Sequence, residues 1–195
     1  RVQPWTLGAL PLILSVIHLK LLGRSFCEEW RIIVAKNKAV VTNAMRLLKA
    51  SKIEFKTIEY TVDEVGDAFG EKIAELTGIS PDISFKTLVA KGDKTGIIVV
   101  CIPVKCEVDL KKLAKVSGNK KAEMIHVKDL LSLTGYIRGG VSPIGMKKQY
   151  MTYVGNTAEN YEEIAVSGGQ CGVTLLMSPD GLKKATDCVF ADITV

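Results

Sequence analysis

Phe85-Lys86-Thr87-Leu88-Val89-Ala90-Lys91-Gly92-Asp93-Lys94-Thr95-Gly96-Ile97-Ile98-Val99-Val100-Cys101-Ile102 decides the fold. Two strand-like runs, Phe85 to Lys91 and Thr95 to Ile102, flank Gly92-Asp93-Lys94. So short a connection between two such runs predicts an antiparallel hairpin. Upstream, Phe55 to Tyr60 alternates apolar and polar residues like a half-buried strand. Before it, Thr42 is placed to cap a helix whose apolar residues Val41, Ala44, Met45 and Leu48 recur at helical spacing. Between Tyr60 and the hairpin, Phe69, Ile73 and Leu76 share a helical face that ends at Gly78.

Downstream, Leu110 to Val116 and Val127 to Leu133 predict short helices. A glycine-rich turn region runs from Gly135 to Gly145. Strands are expected at Tyr150 to Val154, Glu163 to Val166, Val173 to Met177 and Val189 to Ile193, with a helix near Pro179 to Thr186. The helices interrupt the strands without a strict β-α-β rhythm. The expected class is therefore α+β, a single domain around a mixed, largely antiparallel sheet flanked by helices.

At 195 residues and 21.2 kDa, with 47% hydrophobic and 24% charged residues, the chain can bury a core unaided by disulfide or metal. Cys27, Cys101, Cys106, Cys171 and Cys188 are odd in number and contain no C-x-x-C pair, which argues against a disulfide framework or zinc ribbon. Free thiols suit a reducing compartment such as the cytoplasm. Only His18 and His126 offer imidazoles, too few for a histidine-rich metal site.

Residues 1–36 read differently from the rest, and the functional domain is expected at 37–195. Leu7 to Leu22 is almost wholly apolar but is broken by Pro11, His18 and Lys20. A bilayer-spanning helix needs about 20 apolar residues, so membrane insertion is not expected. Arg1 alone is a thin basic flank and no A-x-A site follows, which weakens a secretory reading. An appended leader, a targeting or anchor segment and an accessory helix all stay open. Arg24 to Lys38 reads as a polar connection.

G-x-S-x-G, P-loop and H-E-x-x-H motifs are all missing. His126 sits among Met124, Ile125 and Val127, which favours a packed or surface histidine over a catalytic one. Three features remain. Lys86 opens an apolar strand; such a lysine ordinarily faces water, and the functional alternative is an ammonium that holds a phosphate or polarises an ester carbonyl. Gly139-Gly140-Val141-Ser142-Pro143-Ile144-Gly145 is either a plain turn or a loop whose backbone N–H groups converge on an anion or carbonyl oxygen. Ser167-Gly168-Gly169-Gln170-Cys171-Gly172 follows a strand and is either a hairpin turn or a second such loop.

Charge adds a fourth. Lys111, Lys112, Lys115, Lys120, Lys121, Lys128, Arg138, Lys147 and Lys148 face only Glu123 and Asp129 between positions 111 and 148. Clustered lysines usually make a solvated helix face, but beside a glycine-rich loop they also fit a patch that tracks nucleic-acid phosphates.

In order and spacing, Thr42 to Leu48, Tyr60, Phe69-Gly70, Ser84-Phe85-Lys86-Thr87, the lysine-rich stretch to Glu123, Gly135-Tyr136, Gly139 to Gly145 and Val166-Ser167-Gly168-Gly169 resemble the YbaK family of Cys-tRNA(Pro) deacylases. That family belongs to the homologues of the prolyl-tRNA synthetase editing domain. The resemblance runs from about Val41 to Thr194. It implies a barrel-like mixed sheet and trans-editing of mischarged aminoacyl-tRNA in the cytoplasm, with no metal or organic cofactor. The substrate implied is Cys-tRNA(Pro), or also Cys-tRNA(Cys), bound by its 3′ acceptor end, with prolyl-tRNA synthetase as an implied partner. An Ala-tRNA(Pro) deacylase and a non-catalytic tRNA- or synthetase-binding module are the rival readings.

By the same resemblance Lys86 is the key lysine at the tRNA 3′ end, with Thr87 beside it. Tyr60, Phe69 and Gly70 match substrate-contacting positions. Gly139, Gly140, Ser142, Pro143 and Gly145 belong to the loop around the scissile ester, and Ser167 with Gly168 to the pocket. The chain departs from the pattern at Gln170-Cys171, where the family often carries basic residues. An aminoacyl ester is already activated, so positioning and oxyanion stabilisation suffice without a protein nucleophile. Family mechanisms add attack by the substrate's own cysteine thiol. On this reading Lys86 anchors the terminal adenosine phosphate while the Gly139 and Gly140 amides bond the developing oxyanion.

Overall fold

The computed structural model describes residues 40–61, 73 and 76–195. The apolar leader, the connection to Lys38, Cys27, Phe69 and Gly70 lie outside them. The compact unit runs from Val41 to Val195. Among the described residues no helix is long and apolar enough to cross a membrane.

Helix α1 (Asn43–Ala50) starts where expected: Thr42 is extended and its side chain accepts from the Met45 N–H. Ala44, Met45 and Leu48 are buried on one face, whereas Val41 precedes the cap and is half exposed. Each Met or Leu so removed from water contributes roughly 1.5–3 kcal/mol. Strand β1 (Lys56–Glu59) follows. Of the next helix, Ile73, Leu76 and Thr77 are helical; Leu76 is 42% exposed, and Gly78 turns the chain with φ +68°.

The hairpin is present. Strand β2 (Phe85–Gly92) pairs antiparallel with β3 (Gly96–Pro103), from Phe85 opposite Pro103 to Gly92 opposite Gly96. Helix α2 (Leu110–Val116) begins at Asp109, whose carboxylate accepts from the Lys111 and Lys112 N–H groups. A short β4 (Ala122–Met124) pairs with the outer edge of β2. A 3-10 turn (Val127–Asp129) leads into α3 (Leu130–Thr134). Strand β5 (Met151–Gly155) lies parallel to β3, a second 3-10 turn spans Asn156–Asn160, and β6 (Ile164–Ser167) and β7 (Val173–Met177) form an antiparallel hairpin. Helix α4 (Pro179–Thr186) and β8 (Val189–Ala191), parallel to β5, complete the chain.

The strands form a five-stranded sheet in the order β4-β2-β3-β5-β8 and a three-stranded sheet in the order β1-β7-β6. A mixed, largely antiparallel α+β arrangement is therefore correct. The two sheets are tied at one corner, where Ser84 bridges Ala165 in parallel and the Ala165 N–H donates to the Ile83 carbonyl at 2.8 Å.

Side chains alternate across β2 and β3, so each face packs a different layer. One face carries Leu88, Ala90, Ile98, Val100 and Ile102 against Leu113 and Ala114 of α2 and Ile193. The other carries Val89 against Tyr136 and Val141, with Ile97, Ile125, Leu130 and Met146 around them. The glycine-rich region from Gly135 to Gly145 therefore sits on the sheet face opposite α2.

Candidate active site

The first glycine loop grows out of the end of α3. The Thr134 hydroxyl donates to the Leu130 carbonyl at 2.7 Å and accepts the Tyr136 N–H at 3.0 Å. The chain then turns tightly, with the Gly140 N–H donating to the Ile137 carbonyl at 3.0 Å. The Tyr136 hydroxyl donates to the Ile144 carbonyl at 2.6 Å and reaches the Gly145 carbonyl at 3.1 Å. Gly145 O also accepts from Asn43 Nδ2 of α1 at 2.9 Å. Ser142 is fully buried and its Oγ accepts the Ile144 N–H at 3.2 Å. Ser142 thus builds the loop from within, and Pro143 is buried beside it.

The second loop is the hairpin connection from Ser167 to Gly172, between β6 and β7. The Gly168 N–H donates to the Val173 carbonyl at 2.9 Å, and Ser167 Oγ accepts the Gly169 N–H at 3.4 Å. This stretch is a hairpin turn, and it lies against the first loop. A Cβ on Gly140 would stand 3.0 Å from Cys171 N and 3.1 Å from the Gln170 carbonyl carbon. A Cβ on Gly169 would stand 2.9 Å from the Tyr136 ring. Cys171 Sγ lies 3.6 Å from the Arg138 carbonyl oxygen. A side chain at Gly140 would crowd the opposite loop's backbone, and at Gly169 it would press on the Tyr136 ring from a left-handed backbone, φ +92°.

The backbone amides of the first loop differ in use. Gly140 N–H is committed to its own turn, whereas Gly139 N–H has no partner among the hydrogen bonds of the described residues. Gly139 takes φ +85°, a left-handed conformation that costs other residues about 1–2 kcal/mol. That conformation leaves its amide clear of the turn bond made by Gly140.

Tyr60 closes another side. Its N–H donates to the Gly172 carbonyl at 2.9 Å, and its hydroxyl accepts from Thr174 Oγ1 at 3.4 Å. Burial pushes the Tyr60 hydroxyl above its ordinary pKa, the Thr174 bond opposes this, and nearby Cys171 adds to the rise. Tyr136 is raised by burial alone. Both phenols are therefore neutral donors at physiological pH.

Lys86 and Thr87 diverge across the sheet. Thr87 Oγ1 lies 3.6 Å from Sγ of its cross-strand partner Cys101, whose thiol burial pushes up to about 12. Cys101 is thus an inert core residue, and all four described cysteines are free thiols. Lys86 alternates with Leu88 and Ala90 on the α2 face, and its Nζ donates to the Val104 carbonyl at 3.1 Å. The isolated parallel Ser84–Ala165 bridge ties the chain just before β2 to β6, two residues before Lys86 on one side and two before Ser167 on the other. Tyr60, the two glycine loops and Ser167-Gly168 thus come together, whereas Lys86 lies on the α2 face two residues beyond the bridge that ties the two sheets. No hydrogen bond among the described residues joins Lys86 to the first loop.

The basic stretch does not stay together. Lys111, Lys112 and Lys115 ride on α2, behind the sheet; Lys112 Nζ is tied to Asp192 at 3.0 Å and the Thr194 carbonyl at 2.8 Å. Lys121 pairs with Glu123 at 3.4 Å. Lys128, Arg138, Lys147 and Lys148 border α3 and the first loop, where Lys147 Nζ caps the Leu131 carbonyl at 3.0 Å. His126 is exposed at the start of a 3-10 turn and makes no side-chain capping bond. Tyr136 and Asn43 lie within motifs the sequence carried, but their roles, as a loop fastener and its partner on the Gly145 carbonyl, emerge only from this geometry. Their signal is faint: each is one polar residue in a helical or turn segment, bonded to a loop across the fold.

Comparison with known proteins identifies the family and the fold. The model of the aminoacyl-tRNA editing domain matches residues 63–185. An Enterococcus faecalis protein, EbsC, provisionally named a Cys-tRNA(Pro)/Cys-tRNA(Cys) deacylase, is 49% identical over 153 residues, covering 78% of this chain and 93% of that protein. The Bacillus subtilis protein YwhH, which carries no assigned activity, is 25% identical over 65% of this chain and 80% of its own. A crystal structure provisionally described as a trans-editing enzyme for prolyl-tRNA synthetase superposes with a TM-score of 0.69 at 22% identity, covering 80% of this chain and 99% of that one. Its low identity speaks for the fold alone. With the family model spanning most of the chain and a relative 49% identical over 78% of it, this protein belongs to the aminoacyl-tRNA editing domain family.

Proposed function

We propose that the protein is a trans-editing deacylase that releases cysteine from mischarged Cys-tRNA(Pro), and from Cys-tRNA(Cys) where presented. The observation that carries this reading is the junction of the two glycine loops, where Gly140 packs against the Gln170-Cys171 backbone and the neighbouring Gly139 N–H has no partner among the hydrogen bonds of the described residues. Such a site offers backbone donors and close approach, and it suits an ester that is already activated. The choice of cysteine rests on the name borne by the Enterococcus faecalis relative.

The substrate thiol sulfur attacks its own ester carbon, and the developing oxyanion is held by Gly139 N–H. The bond to the ribose oxygen then breaks, that oxygen leaves carrying the thiol's proton, and water opens the cyclic thioester to free cysteine. Gly140 N–H closes the turn that aims Gly139 and is not itself the donor. Lys86 takes the phosphate of the terminal adenosine by exchanging its bond to the Val104 carbonyl. Prolyl-tRNA synthetase is the proposed docking partner, and the cytoplasm the proposed compartment.

The test is release of amino acid from Cys-tRNA(Pro) and Ala-tRNA(Pro) under single-turnover conditions. Release from the cysteine charge alone is expected. Equal release from both charges would remove the cysteine preference, and protection of both esters would indicate a binding module instead.

A further inference from the structure

We infer that Tyr136 is a positioning residue that fixes the spacing between the two glycine loops, and with it the aim of the Gly139 amide. The inference rests on the deacylase reading of the same site. Tyr136 is 8% exposed, packed with Val89 and Val141 against the sheet, so its ring is fixed from below. Its backbone is held by Thr134, whose hydroxyl is anchored in turn to the Leu130 carbonyl of α3. From that fixed base it acts in two directions.

Toward its own loop, the hydroxyl bonds the Ile144 carbonyl at 2.6 Å and reaches Gly145 O at 3.1 Å. This closes the segment from Gly139 to Gly145 into a ring of fixed size. Toward the other loop, the ring edge stands where a Gly169 side chain would be, at 2.9–3.2 Å from the position of that Cβ. One side chain therefore limits how far the first loop opens and how near the second approaches. The Gly140 contact with the Gln170-Cys171 backbone and the approach of Cys171 Sγ to the Arg138 carbonyl are further points of touch between the loops. Asn43 supports this arrangement from α1 by donating to the Gly145 carbonyl at 2.9 Å. The hydroxyl stays a donor across the neutral range because burial holds it protonated.

Tyr136→Phe keeps the ring but removes the hydroxyl that fastens it to Ile144 and Gly145, so the ring's stop against the second loop loses its anchor too. Two measurements apply: amide hydrogen exchange in the free protein, and single-turnover release from Cys-tRNA(Pro). Exchange at Gly139 to Gly145 and at Gly168 to Gly172 is expected to speed up by roughly 10-fold or more, with β2 and β3 unchanged. The chemical step should fall by roughly 10- to 100-fold, the range a small misplacement of reacting groups produces, while KM stays within about 3-fold. Gly169→Ala keeps the hydroxyl but pushes on the same side chain from the second loop, its Cβ 2.9 Å from the ring and 3.2 Å from the hydroxyl oxygen, and it should loosen the first loop as well. If Tyr136→Phe fails to fold, Gly169→Ala carries the test.

Wild-type exchange in both loops would overturn the inference, as would exchange that changes in the first loop only or a defect confined to KM. A wild-type protein that releases no cysteine would sink the deacylase reading instead. The exchange measurement would still decide the role of Tyr136.

Discussion

The backbone of Cys171 stands where a side chain on Gly140 would have to go, 3.0 Å from its ideal Cβ to the Cys171 nitrogen. The two loops of the site are therefore fitted to each other through missing atoms as much as through bonds. A methyl group at Gly140 must push the second loop away or tilt the first. Gly140→Ala, which keeps the Gly140 N–H, is expected to cost about 1–3 kcal/mol of stability as an overpacked contact. Turnover should fall by roughly 10²-fold as Gly139 loses its aim. Urea denaturation and single-turnover release measure the two effects, and wild-type turnover would show that the loop contact does not matter to the chemistry.

Asn119 fastens the central hairpin from outside. Its Oδ1 accepts the Lys94 and Thr95 N–H groups at 2.9 and 3.0 Å, and its Nδ2 donates to Thr95 Oγ1 and Ser117 Oγ, both at 2.8 Å. Asn119→Ala removes these bonds at once, and about 1–3 kcal/mol should be lost, the exposed turn amides recovering part from water. The urea midpoint should drop with the slope unchanged. An unaltered midpoint would mean that Gly92 to Thr95 hold the turn alone.

Alkaline pH should expose the buried phenols. Tyr60 and Tyr136 both titrate above 10.0 in the folded chain because burial disfavours the phenolate. Their contribution to stability is complete below pH 10 and is lost as pH rises through the folded values, since the unfolded chain ionises first. Thermal melts between pH 8 and pH 11 should therefore fall off above about pH 10, and less steeply in Tyr60→Phe. A fall-off of equal slope in that variant would assign the effect elsewhere.

The divided basic stretch yields a salt test. Lys128 and Lys148 border the site, whereas Lys111 and Lys115 lie on α2 behind the sheet. Replacing the first pair with Gln should lower the salt slope of tRNA binding by roughly 0.7–0.9 per lost phosphate contact. Replacing the second pair should leave the slope unchanged, and equal losses would place the tRNA across both faces.

Much of the fold was legible because it is written in local patterns. The helices at Leu110 to Val116 and Pro179 to Thr186 and the strand at Val173 to Met177 have the expected bounds. The hairpin was readable because two β-rich runs flank a three-residue polar turn. Strand β4 was not: Ala122 is buried, but Glu123 and Met124 are exposed on an edge, so three residues within a lysine-rich stretch carry no alternation. The parallel pairing of β5 and β8 was hidden because long-range register leaves no local mark.

At the site, the glycine loops were recognisable, but their mutual fit was not. Ser142 illustrates the limit. A serine in a glycine-rich loop suggests a hydroxyl offered to substrate, yet here it is buried and bonds its own backbone. Likewise nine basic residues close in sequence fell on two sides of a sheet, because α2 and α3 cover opposite faces.

The measurement that bears most directly on the central claim is release of cysteine from Cys-tRNA(Pro) by the wild-type protein and by Lys86→Ala. The account predicts release by the wild type and loss of it in the variant, with the fold retained by circular dichroism. Wild-type protein that binds the tRNA and leaves the ester intact, or a Lys86→Ala variant with undiminished turnover, would contradict it.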